Sequence, residues 1–195
     1  MFRVFIALVI MQLAACSVFP SNNIKTINLK FNEPNRISFQ GKGAGAGIAL
    51  MGTMGPVGIA IGVAIDEGIA KDIRKAVASD KGDSKVFVAN MVASQLKEQG
   101  YGVTMNAKQP TYPIITIKRY GFKIINGSTD ATAAQWELEI ETQAGKKVNV
   151  HYPKDFNKDT IKTYVLADLK QNGKLGVELL SESLVRVLSA KKLEL

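Results

Sequence analysis

Side chains able to do covalent or metal chemistry are few in this chain. Its 195 residues include one cysteine, Cys16, and one histidine, His151. A structural zinc site takes several Cys or His ligands, so this pair predicts no such metal centre, and no cofactor is expected. A Ser–His–Asp triad would have to use His151, and no Gly-x-Ser-x-Gly turn accompanies it. His151 stands between Val150 and Tyr152 in an alternating pattern, which reads as a surface or edge position on a strand. Glu137, Glu139 and Glu141 recur at every second residue, so a strand presents them in one row. A glycosidase needs two carboxylates flanking a cleft. A single row is expected to pair with basic neighbours such as Lys118, Lys123 or Lys147 across a sheet. The glycines from Gly41 to Gly47 have neither the Gly-Lys-Ser/Thr of a Walker loop nor the strand–turn–helix setting of a dinucleotide fingerprint. These residues predict a protein that is not an enzyme.

Cys16 has a different setting. Met1-Phe2-Arg3 opens with a positive charge, Val4 to Leu13 is apolar apart from Gln12, and Ala14 and Ala15 are small. That is the order of a secretory leader, with residues 1–15 as the signal peptide. Its apolar run is too short for a lasting bilayer span, which takes about 20 residues. Leu13-Ala14-Ala15-Cys16 resembles the lipobox of bacterial lipoproteins, the recognition site of lipoprotein signal peptidase. The resemblance implies cleavage before Cys16, a thioether-linked diacylglycerol on its sulfur, and usually a third acyl chain, such as palmitate, on the new amino group. Two or three such chains anchor stably, whereas one binds marginally. Ser17, where an Asp would signal inner-membrane retention, resembles the outer-membrane pattern. The expected location is therefore the outer membrane, lipid-anchored and facing the periplasm, ahead of the inner membrane. With Cys16 as the sole cysteine, no intramolecular disulfide can form.

The elements that must position these residues begin with a tether at 17–23, within a region 16–40 that also carries two short extended pieces. Ile27, Leu29 and Phe31 mark the first, ended by Pro34, and Ile37 and Phe39 the second. Region 41–79 is a glycine-rich apolar segment. Gly43 to Ile65 runs 23 positions without a charge, bounded by Lys42 and Asp66. Small residues recur four apart, Gly43 with Gly47, Gly58 with Gly62 and Ala60 with Ala64, a spacing that lets helix backbones approach closely. The segment resembles the glycine-zipper stretches of some outer-membrane lipoproteins, and Gly43, Gly47, Gly58 and Gly62 are its candidate packing residues. Gly55-Pro56 divides the run, because proline suits the first turn of a helix and disrupts its interior. A second helix is expected from Pro56 to about Ala78, amphipathic in its later part. Three readings of the resulting hairpin stand open. It packs on its own domain or on a copy of itself, it dips into a membrane, or it is a mobile linker.

Residues 80–195 read as a periplasmic α+β domain. Asp80-Lys81-Gly82-Asp83 reads as a linker and Ser84 as the cap of a helix carrying Val88, Met91, Val92 and Leu96. Strands follow at Val103–Met105, at Ile114–Ile125, along Trp136, Leu138 and Ile140, and along Val148, Val150 and Tyr152, the last two joined at Ala144-Gly145. Leu175, Leu179, Leu180, Leu184, Val187 and Leu188 define a closing amphipathic helix. Tyr112, Tyr120, Phe122, Trp136 and Tyr152 are expected to share one sheet face, as core or as a lipid or peptide groove under a helix. The predicted fold class is α+β, a small antiparallel sheet with helices packed on one face, preceded by a glycine-rich helical hairpin. Element order is similar to that of small periplasmic lipoproteins that assist envelope transport or lipopolysaccharide assembly.

Net charge is +8, spread without a Lys/Arg block; it serves solubility and would favour anionic partners such as lipid head groups, and no nucleic acid is expected. Taken together, these features predict a lipid-anchored, non-enzymatic binding or assembly component. The membrane is one partner, through Cys16, and an envelope protein or glycolipid the other. The alternative is a self-associating, membrane-inserting or pore-associated structural lipoprotein, a homo-oligomer.

Overall fold

The computed structural model describes residues 24–105, 111–125 and 128–190. Cys16 and the expected signal peptide, residues 1–15, lie outside them. In chain order the elements are β1 (Thr26–Phe31), β2 (Ser38–Gln40), α1 (Lys42–Met54), α2 (Pro56–Lys81), α3 (Ser84–Glu98), β3 (Gly102–Met105), β4 (Ile114–Ile124), β5 (Ala131–Glu141), β6 (Lys147–Tyr152), β7 (Tyr164–Val165), α4 (Leu166–Gln171) and α5 (Gly173–Ala190). The fold is α+β, with helices layered on one face of a seven-stranded sheet.

The sheet runs β3-β1-β4-β5-β6 and is mixed, where the sequence predicts an antiparallel one. The central β4–β5–β6 meander is antiparallel, as the hairpin turns require. β1 pairs parallel to both β3 and β4, and β2 parallel to β4. Parallel pairing needs a long crossover, and α1, α2 and α3 supply it between β1 and β3. The short extended pieces of region 16–40 are therefore strands of the same sheet as residues 80–195.

β1 and β2 lie end to end along one edge of β4. Asn28 aligns with Ile114 at its start, and Gln40 with Lys123 at its end. The register shifts between Ile117 and Arg119, where one strand gives way to the other. Gly121 makes the second contact possible. It has φ +146°, and a methyl group there would lie 2.0 Å from the Ser38 carbonyl oxygen. The chain thus joins the sheet at one end of β4 and leaves it for α1 at the other.

The core lies between sheet and helices. Alternate residues of β5, among them Ala134, Trp136, Leu138 and Ile140, share one buried cluster with Leu179, Leu180 and Leu184 of α5 and Ile73 and Val77 of α2. Trp136 is fully buried and its Nε1 donates to Ser183 Oγ at 2.8 Å, which satisfies the one polar atom the ring brings inside. α2 and α5 touch closely at Gly173, where a methyl group would lie 2.2 Å from the Ala76 carbonyl oxygen. The expected cap of α3 moves by one residue. Asp83, not Ser84, is the N-cap, and its carboxylate accepts the Lys85 N–H at 2.8 Å.

Candidate functional site

Two surfaces carry the residues that the sequence singles out. The first is the sheet face turned away from the helices. Glu137, Glu139 and Glu141 line β5 there, and each has a basic partner. Lys118 bonds Glu139, Lys147 reaches Glu139 and Glu141 at 3.4 Å each, and Arg119 stands 3.5 Å from Glu137. The Lys118 hydrogen bond holds the Glu139 carboxyl below the usual carboxylate range, and the Lys147 bond adds to it. Lys147 is raised in turn by Glu139 and Glu141. Lys118 and Lys147 take the places expected of them, whereas Arg119 takes the one considered for Lys123. Paired, half-buried carboxylates of this kind form a ladder of ion pairs at the sheet surface.

His151 is half-buried on β6, opposite Glu137, and its backbone N–H donates to Asp155 Oδ2 at 2.8 Å. Among the described residues no three His, Cys, Asp or Glu side chains stand together as a metal-ion cage. Tyr120, Phe122, Trp136 and Tyr152 are core residues, and Tyr112 is only half-buried beside them in sequence. Tyr120 stacks on Trp136 with ring centroids 5.8 Å apart. Its hydroxyl donates to Asn35 Oδ1 at 2.9 Å, and burial pushes its pKa well above the ordinary tyrosine value. Trp136 bonds Ser183 of α5 and Phe122 lies against Gly176 of the same helix, so these rings pack as core.

The second surface is the hairpin of α1 and α2. Gly55, at φ +58°, turns the chain, and Pro56 starts α2, as the sequence predicts. The four candidate glycines meet at the seam between the helices. A methyl group on Gly43 would fall 1.7 Å from the Gly62 carbonyl oxygen, and one on Gly62 would fall 2.3 Å from that of Gly43. One on Gly58 would fall 2.5 Å from the Leu50 carbonyl carbon, and Gly47 lies against Gly58 and Gly62. Backbone packs on backbone here, and any side chain would separate the helices. Ala60 and Ala64 share the four-residue spacing but face outward, exposed. Spacing alone does not say which small residues face the seam.

The hairpin stands off the body. From Ala44 to Ile65 the buried residues are Gly47, Gly58 and Gly62, and every larger side chain is exposed or half-exposed. Ile48 is 71% exposed, Val57 56% and Val63 65%. The reading in which the hairpin packs on its own domain is therefore set aside. So is the mobile linker, because both arms are helical throughout. Folding of the body supplies no neighbour for these side chains. The strand register sends α1 past the end of β4, beyond the reach of the helix layer.

A charged collar fixes the base of the hairpin. Asp66 of α2 accepts the Gly43 N–H at 2.6 Å and the Gly41 N–H at 3.1 Å, so its carboxylate caps the first turn of α1. Lys42 pairs with Asp130 at 2.8 Å. Glu67 joins Arg74 at 2.6 Å and Arg36 at 3.4 Å, and Arg74 also donates to the Ile37 carbonyl at 2.8 Å. The sequence marks Lys42 and Asp66 only as limits of a charge-free run, and their capping and pairing roles depend on the fold.

Comparison with protein-family models, curated proteins and solved structures finds no match to this chain.

Proposed function

We propose that this chain is a lipid-anchored envelope protein acting as a non-enzymatic binding or assembly component, in envelope transport or outer-membrane maintenance. The observation that carries the reading is Cys16, placed directly after Leu13-Ala14-Ala15 at the end of a short apolar leader. The acyl chains attached there hold the protein at the outer membrane, with the α+β body on the periplasmic side. The body supports a binding role rather than catalysis. Its acidic row is tied up in ion pairs, and its aromatic cluster serves the core. Its surface meets an envelope protein or an anionic glycolipid.

Mass spectrometry of the N-terminal peptide from membrane fractions tests the anchor. The expected peptide begins at Cys16 and carries a diacylglyceryl thioether. An unmodified thiol, or a chain that still holds residues 1–15, overturns it. Crosslinking in intact cells then identifies the partner.

A further inference from the structure

We propose that the α1–α2 hairpin is a membrane-insertion device that enters the acyl-chain region of one bilayer leaflet as far as its charged collar. The bare apolar surface runs all the way round. Ile48 and Met51 on α1 and Val57, Ile59 and Val63 on α2 are each about half exposed or more. The only sides not exposed are those the two helices turn to each other. A helix that docks in one protein groove needs one apolar stripe, whereas a surface apolar on every outward side suits an isotropic apolar solvent.

Length sets the depth. Gly43 to Met54 is 12 residues, which at 1.5 Å per residue extends about 18 Å. The hydrocarbon core of a bilayer is about 30 Å thick, so one leaflet offers about 15 Å. Among the described residues no helix is long and apolar enough to cross a membrane. The hairpin therefore enters and returns on the same side.

The turn at the tip suits the same surroundings, where backbone polar groups must find partners within the protein. The Gly55 N–H bonds the Met51 carbonyl, the Gly58 N–H bonds the Gly55 carbonyl, and Pro56 has no N–H. Thr53, the only hydroxyl at the tip, donates to the Leu50 carbonyl. At the other end, charge returns abruptly with Lys42 and Asp66, then Glu67, Arg36 and Arg74, as at a water–lipid boundary.

The test uses residues 16–195 carrying Cys16→Ala, so that neither the apolar leader nor acylation plays a part in the result. Met54→Cys then supplies a sole thiol for an environment-sensitive fluorophore. In a parallel chain Ser79→Cys places the probe on the body end of the same helix. On vesicles of phosphatidylethanolamine and phosphatidylglycerol the residue-54 probe should shift to the blue and be quenched by nitroxides on the acyl chains, while the residue-79 probe changes in neither respect. Ile48→Lys with Val63→Lys should lower the vesicle-bound fraction by about tenfold or more. Thermal unfolding of the body should be unaltered, since both side chains lie outside it. An unshifted residue-54 probe in the presence of vesicles overturns the proposal, as does a double-lysine variant that binds as well as its parent. A lipid-free oligomer in which the residue-54 probe is already shielded also overturns it, because a second copy would then be the occupant.

Discussion

α2 is one continuous helix of 26 residues with two unlike halves. From Ile69 onward it is amphipathic, and Ala70, Ile73 and Val77 are fully buried against the body. Before Asp66 it is apolar, yet only Gly58 and Gly62 are buried, both against α1. The less hydrophobic half is the better buried. Hydropathy states what a side chain would gain from leaving water, whereas burial depends on a neighbour being present. The body half has α5 and the sheet to meet. The hairpin half has a partner so close that only glycine fits, and open surface elsewhere.

Substitutions along α2 can break or sharpen this contrast. Ile73→Ala should have the largest effect, a loss of about 2–5 kcal/mol in urea-unfolding stability, because it opens a cavity in the core. Its counterpart Val63→Ala should stay within about 0.5 kcal/mol of the parent. Equal losses at both positions would erase the contrast. Gly62→Val comes next, with overpacking of about 1–3 kcal/mol confined to the seam. Spin labels on the exposed Ala49 and Ala60 should report a wider interhelical distance. Gly68→Val, at a position facing open space, should leave that distance unchanged.

The smallest expected effect belongs to the ladder on the far side of the sheet. Lys118 and Lys147 lower the Glu139 pKa on folding. Its contribution is therefore present above the unfolded value of about 4.3 and lost as pH falls through the lower folded value. Lys118→Met should flatten that acid limb in urea titrations between neutral and acid pH. The change should be slight and sensitive to salt, because the pair lies at the protein surface, with Lys118 exposed and Glu139 half-buried.

Much of the architecture is local and so legible in the sequence. The Gly55-Pro56 break, the glycine seam, the closing leucine helix and the alternation along β5 are each set by period and by turn chemistry within a few residues. The limits of helices are less so. α2 runs to Lys81 rather than to about Ala78, into residues that read as a linker. Its hydrogen-bonded turns tolerate Asp80 and Lys81, and the φ of +74° at Gly82 ends them. The acidic row was legible as a row, and so were its partners Lys118 and Lys147, but Arg119 was not. Arg119 reaches Glu137 because the irregularity after Ile117 resets which β4 residues face outward.

By itself, the sequence determined the charge-free run and its fold in two, and which faces of strands and helices are apolar. All of these follow from neighbours along the chain. Only the tertiary structure decided that β1 and β2 join β4 in parallel, that Asp66 caps α1, and that the hairpin projects bare from the body. Each of these depends on residues distant in sequence meeting in space, and no local period encodes which distant surface will be there to meet.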